Sequence, residues 1–251
     1  MLLVLLAGVS AISASDVSNE ATVLEDTSQT IAPEDVAAPT SSNDKLADTS
    51  AKNIEKEDKN IKTSTKTVEV NNWNELQTAI NTATEDSEND EYIIDLNDGT
   101  YKLGSREFTF NAGTFSPNII INGNDQTLEV KREGYSITLD NNCNITINDL
   151  TVNAELFSYV DLTLNNVIME FANIENNKNM ELNNVSSEWE FINNEDSTLI
   201  IKNSEIWAGI SNLEGSTLII KNSTLNLAIS NVGGNVVIGD DVVFGDYFSI
   251  T

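Results

Sequence analysis

Ser197 to Gly234 reads STLIIKNSEIWAGISNLEG followed at once by STLIIKNSTLNLAISNVGG, two copies of one nineteen-residue unit with twelve positions identical. A short unit repeated in tandem is the signature of a solenoid, because one copy cannot bury its apolar side without a neighbour stacked on it. Within the unit, Leu199 and Ile201 alternate with Thr198, Ile200 and Lys202, the period-two pattern of a strand with one face inward.

The period extends in both directions. Taking the second apolar residue of each first strand as the mark gives Ile147, Leu164, Leu182, Ile201, Ile220 and Ile238, at intervals of 17, 18, 19, 19 and 18 residues. Two positions beyond each mark stand Asp149, Asn166, Asn184, Asn203, Asn222 and Asp240. Asn and Asp tolerate left-handed and bridge conformations best after Gly, so this column reads as a bend in every coil. Five positions beyond the marks, Val152, Met169, Ser187, Ile206, Leu225 and Val243 are expected to face inward. Nine beyond, Leu156, Asn173, Phe191, Ile210, Ile229 and Tyr247 form a further column. The pattern predicts an all-β protein, a right-handed parallel β-helix (β-solenoid) of about seven to eight coils. Its length would be about 35–40 Å at the spacing of hydrogen-bonded strands.

Before the coils the chain changes character twice. Residues 1–14, MLLVLLAGVSAISA, read as a secretory signal peptide, with an apolar stretch followed by small residues and too short to span a bilayer. Residues 15–66 are rich in Ser, Thr, Ala and charge and hold no aromatic residue, so they read as a disordered acidic linker. The folded domain is expected over residues 67–251. It opens on a short strand and a helix in NNWNELQTAINTA, where Asn72 and Glu75 form a capping box and Trp73, Leu76 and Ile80 share one face. That helix is expected to cap the first coil, with Trp73 packed on the core.

Composition excludes several functions. Lys and Arg number 13 against 40 Asp and Glu, a net charge of −27 that repels nucleic acid and anionic membrane surfaces. With no His, Ser-His-Asp catalysis and the commonest zinc ligand are excluded. The single cysteine, Cys143, allows no internal disulfide.

Several residues together carry a resemblance. They are the W-x-E-L-x-x-A-I helix (Trp73, Glu75, Leu76, Ala79, Ile80), then Ile94, Leu96, Gly99 and Tyr101, then Ile119, Ile121 and Gly123, ahead of Asn-rich coils. With the leader and acidic spacer, the chain resembles the adhesin-like surface proteins of methanogenic archaea and, more broadly, the pectin-lyase-like superfamily of right-handed β-helices. The resemblance implies a secreted, cell-surface module without enzymatic activity, whose partner is a glycan, a cell wall or a surface protein. The alternative it carries is a polysaccharide-active enzyme, a lyase or glycoside hydrolase. Lyases of that superfamily hold Ca²⁺ in Asp clusters and use an Arg or Lys base. Only Arg106 and Arg132 exist here, both ahead of the regular coils, and Asp240-Asp241, the one Asp pair in those coils, falls on the bend column.

One outward constellation remains. If Met169, Ser187 and Ile206 face in, then Glu170, Glu188 and Trp207 face out on successive coils, with Glu190 two residues past Glu188. Glu170 and Glu188 would then lie about 5 Å apart, and Glu188 and Glu190 about 6.6 Å apart along a strand. Three readings compete with an ordinary solvated acidic face: a Ca²⁺ site, a paired-carboxylate glycosidase site, and a sugar-stacking surface around Trp207. Trp189 is expected inward, in the core. Of three Asn-x-Ser/Thr sequons, at Asn144, Asn184 and Asn222, Asn144 is the candidate glycan acceptor because the other two lie in the bend column. DVVFGDYFSIT ends within a coil, which predicts either a longer parent protein or a partner over that end.

Overall fold

The computed structural model describes residues 64–105, 107–111, 113–129, 135–170 and 173–251. The expected signal peptide, nearly all of the expected linker, and Arg106 and Arg132 lie outside these. The first strand, Thr65–Asn72, begins two residues ahead of the expected start of the folded domain.

The protein is mostly β, with long parallel sheets. The larger sheet runs in chain order from Thr65–Asn72 through Glu91–Lys102, Asn118–Glu129, Asn144–Asn153, Asp161–Met169, Asn179–Asn183, Thr198–Lys202 and Thr217–Lys221 to Asn235–Ile238. The second runs from Glu107–Asn111 to Ile229–Asn231, again in chain order. Every strand pairing among the described residues is parallel. Equivalent residues pair across the nineteen-residue copies: Thr198 with Thr217, Leu199 with Leu218, Ile201 with Ile220 and Lys202 with Lys221. This arrangement is compatible with a β-solenoid.

The register read from the sequence holds over most of the domain. Ile147, Leu164, Leu182, Ile201 and Ile220 are all buried, as are Val152, Met169, Ser187, Ile206 and Leu225. Each fully buried Leu or Ile contributes about 1.5–3 kcal/mol relative to exposure. Four positions depart. Ile174, not Asn173, fills the inward slot between Leu156 and Phe191, because it follows the buried Met169 by five residues where Phe191 follows Ser187 by four. At the far end Tyr247 is 81% exposed, and Ile250 rather than Tyr247 bridges to Ile229. Val243, also expected inward, is exposed there, and Ile238 is only half-buried.

The helix spans Trp73–Glu85. Asn72 Oδ1 accepts from the Glu75 N–H at 3.0 Å, as the capping box requires, while the Glu75 carboxylate accepts from the Asn71 N–H at 2.9 Å rather than from that of Asn72. Trp73, Leu76, Ala79, Ile80 and Ala83 are buried. The Trp73 ring meets Phe108 edge-on at 4.8 Å, so it is core and not a ligand platform.

Two kinds of asparagine ladder stitch the units together. On the outside, Asp149, Asn166, Asn184, Asn203 and Asn222 all have left-handed φ, between 44° and 57°. There Asn166 Nδ2 donates to Asp149 Oδ1, Asn184 to Asn166, and Asn222 to Asn203, at 2.6–2.8 Å. A neighbouring outer row runs from Asn183 back through Asn165, Asn148 and Asn122 to Asp95. Both rows begin on an aspartate, which as a carboxylate only accepts, so every later amide must turn its NH₂ toward the preceding unit. Inside, the direction reverses. Asn176 Nδ2 donates to Asn193, Asn193 to Asn212, and Asn212 to Asn231, each at 2.8 Å and each toward the following unit. Asn193 and Asn212 are fully buried. Asn193 also donates to Thr217 O at 3.0 Å and accepts from Ser197 Oγ at 2.7 Å, so all its hydrogen-bonding capacity is used.

Candidate functional site

The outward column forms where the short strands Ser186–Ser187, Glu205–Ile206 and Thr224–Leu225 extend the larger sheet. Met169 pairs with Ser187 and Ser187 with Ile206, which places Glu170, Glu188 and Trp207 as successive rungs immediately after paired, buried residues. The Trp207 N–H donates to Ser187 O at 2.8 Å, tying its rung to that of Glu188. Glu170 and Glu188 share a hollow of about 250 Å³ whose other walls include Ile168, Ser186 and Trp189. The structure thus places Glu170 and Glu188 on one hollow and sets Trp207, 49% exposed, on the next rung. No ring stacks on Trp207 among the described residues.

Glu190 stands apart. Residues 188–190 form a bend rather than strand, so the strand spacing expected between Glu188 and Glu190 does not apply. All three residues of that bend are exposed. The Glu190 carboxylate instead accepts from Ser211 Oγ at 2.9 Å, one unit further on.

Trp189 is the clearest correction. It is 39% exposed and lines the hollow, not the core. Strict alternation from Ser187 would have turned it inward, but the chain is rounding a corner there and alternation lapses. At the same corner Ala154 and Ala208 are small enough to tuck in, at 1% and 8% exposure, whereas Trp189 and Leu227 are too large and emerge. The size contrast among these corner residues was the signal available for finding Trp189.

Among the described residues no group of three or more Asp, Glu, His or Cys side chains converges as a metal site. The Ca²⁺ reading would therefore rest on Glu170 and Glu188 alone, with backbone or solvent oxygens completing the shell. Asp240 and Asp241 sit in a turn closed by the Val242 N–H on Gly239 O, as the bend column implies. Asn144, exposed at the start of its strand, donates to Asn118 Oδ1 at 3.1 Å, whereas the sequon asparagines Asn184 and Asn222 are rungs of the outer ladder.

Beside the site runs a longer groove of about 600 Å³. One wall is the left-handed asparagine column from Asn166 to Asn222, and the other is the outward row from Ile168 to Thr224. Ile168 and Ser186 belong to both hollows. Comparison of the chain with family models, with curated proteins and with solved structures finds no match.

Proposed function

We propose that this chain is a secreted, cell-surface, adhesin-like protein. In this reading its folded part is a right-handed parallel β-helix of about seven to eight coils, capped at its N-terminal end by the Trp73–Glu85 helix. It binds without catalysis, and its partner is a glycan presented in solution, on a cell wall or on a surface protein. One observation carries the reading: Trp207 stands half exposed with no ring stacked on it among the described residues, on the rung next to the hollow that Glu170, Glu188 and Trp189 line. A flat aromatic face beside carboxylate acceptors suits a sugar ring, whose C–H face stacks while its hydroxyls donate. The parallel sheets and the buried inward columns support the fold. A glycan-array measurement with the full chain and a Trp207→Ala variant tests the binding. The variant is expected to lose the signal, and retention of wild-type binding removes Trp207 from the site.

The shared hollow of Glu170 and Glu188 favours one second reading, a polysaccharide-active enzyme with paired carboxylates. Cleavage of a polysaccharide that vanishes in Glu188→Gln would establish it in place of the binding module.

A further inference from the structure

The geometry points to a ligand class: a neutral, linear polysaccharide lying along the stack in the asparagine-walled groove, one sugar per coil, with its edge against Trp207. This inference rests on the glycan-binding reading above and adds to it a direction, a repeat and a charge.

The direction comes from the walls. Asn166, Asn184, Asn203 and Asn222 repeat once per coil and are exposed, and the opposite wall repeats in step through Ser186, Glu205 and Thr224. Asn184 Nδ2 spends one N–H on Asn166 Oδ1, which leaves its second N–H for a ligand. The same holds for Asn222 above Asn203. The groove therefore offers a row of amide groups advancing about 4.8 Å per coil, about 14 Å from the first to the last.

The repeat selects the ligand. An extended peptide returns to the same face every two residues, about 6.6–6.8 Å, and falls out of step with the amides within two coils. A pyranose linked through opposite sides of its ring advances about 5 Å per sugar by summed single-bond lengths and turns the same face back every second sugar, about 10 Å, which stays in step with two coils. Hydroxyl groups on such a chain donate and accept, which matches the amide row.

The charge narrows it further. Glu205 lines the groove and Glu170 and Glu188 stand beside it, while no Lys or Arg is among the residues lining either hollow. A polyuronate would meet like charge at each of these rungs on a chain of net charge −27. Trp207 lies two residues past Glu205, outward from the buried Ile206 and just beyond the Glu205 wall of the groove, so it meets the edge of a ring that overhangs that wall.

The test uses the full chain in affinity electrophoresis through gels holding a mixed-linkage β-glucan, a galactomannan or polygalacturonate, followed by calorimetry with neutral oligosaccharides of two to six sugars. Retardation by a neutral polymer and none by polygalacturonate is expected. Affinity should rise about tenfold from two to four sugars and less than about twofold from four to six, as the coils are filled. Ser186→Trp and Thr224→Trp each obstruct the groove at an outward position two coils apart, leave Trp207 untouched, and should each weaken binding at least about tenfold. Preference for polygalacturonate overturns the inference while leaving glycan binding intact. So does wild-type binding by both obstructed variants when Trp207→Ala abolishes it. Failure of every polysaccharide to bind overturns the inference and the glycan reading together.

Discussion

The inner asparagine ladder, buried at Asn176, Asn193 and Asn212 and half-buried at Asn231, and the exposed one through Asp149, Asn166 and Asn184 use one side chain for two different purposes. Outside, asparagine is chosen for its backbone: it occupies left-handed φ at little cost and its amide bond to the next unit is a small addition. Inside, the backbone is ordinary strand and the amide itself is the point. Asn193 joins, in one side chain, buried polar groups of the units before and after it. The contrast teaches that a column of identical residues in a repeat has no single meaning. Burial decides whether the residue serves conformation or hydrogen bonding.

Substitution at the two sites should separate these roles. The largest effect is expected for Asn193→Ala, which removes four buried hydrogen bonds at once, although the Asn176 amide keeps Thr198 O and the Asn212 carbonyl keeps Ser216 Oγ. A loss of about 3 kcal/mol is expected by urea denaturation, from about 0.5–1.5 kcal/mol per buried hydrogen bond. A loss below about 1 kcal/mol would mean water reaches the ladder and would erase the distinction. Asn184→Ala should cost about 2 kcal/mol, mostly from forcing a Cβ-bearing residue without a compensating side chain to φ 57°. Asn184→Gly should recover most of that, whereas Asn193→Gly should be at least as damaging as Asn193→Ala. Rescue by glycine outside and not inside is the sharpest form of the comparison, and equal behaviour at both sites would break it.

The outer ladder and the repeat register were legible because their residues announce themselves. Asn and Asp recur two places past an alternating apolar pair, and the left-handed φ at five of those six positions follows from what such residues tolerate. The inner ladder was legible in principle but was passed over. In both copies the segment Ile-Ser-Asn puts Asn two residues after an inward Ile, and the alternation of a strand points it inward too. An inward polar residue repeated in register is a ladder in waiting. The column of Glu170, Glu188 and Trp207 came out as the alternation places it, since each follows a buried strand residue. Trp189 did not, because local periodicity says nothing once the strand ends at Ser187 and the chain turns. What a corner does with a side chain depends on its volume and on neighbouring rungs, which a single strand pattern does not encode.

A smaller effect should come with acid, and it should leave the inner ladder untouched. Asparagine amides do not titrate, so the rungs that join two asparagines are indifferent to pH. Asp86, at the end of the helix, is different. A hydrogen bond from the Tyr92 hydroxyl, then the Glu88 N–H and the Asn89 amide, with Lys66 nearby, hold its carboxyl well below the usual carboxylate range. A depressed value means the contact stabilises the fold above the ordinary carboxylate pKa of about 4 and is lost as pH falls through the folded value. The thermal midpoint of Asp86→Asn should therefore depend less on pH between 7 and 2.5 than that of the wild type. Identical pH dependence would remove Asp86 from the account. The smallest expected effect is chemical. Cys143 is 1% exposed and burial pushes its thiol up to about 11, so alkylation at pH 8 should be negligible until the chain unfolds. Labelling of the native wild type would show that the interior near Asn144 opens more readily than the ladders imply.

The pairing of Thr198 with Thr217, Leu199 with Leu218 and Lys202 with Lys221 has a consequence for heredity. Where identical residues sit on identical residues, a unit can be gained or lost whole without altering the contacts of the shared strand. Slippage or unequal recombination within the DNA encoding Ser197 to Gly234 would then change how far the protein reaches, in steps of about 4.8 Å, while preserving its cross-section. Length becomes a heritable variable uncoupled from folding, open to selection by the distance the molecule has to bridge.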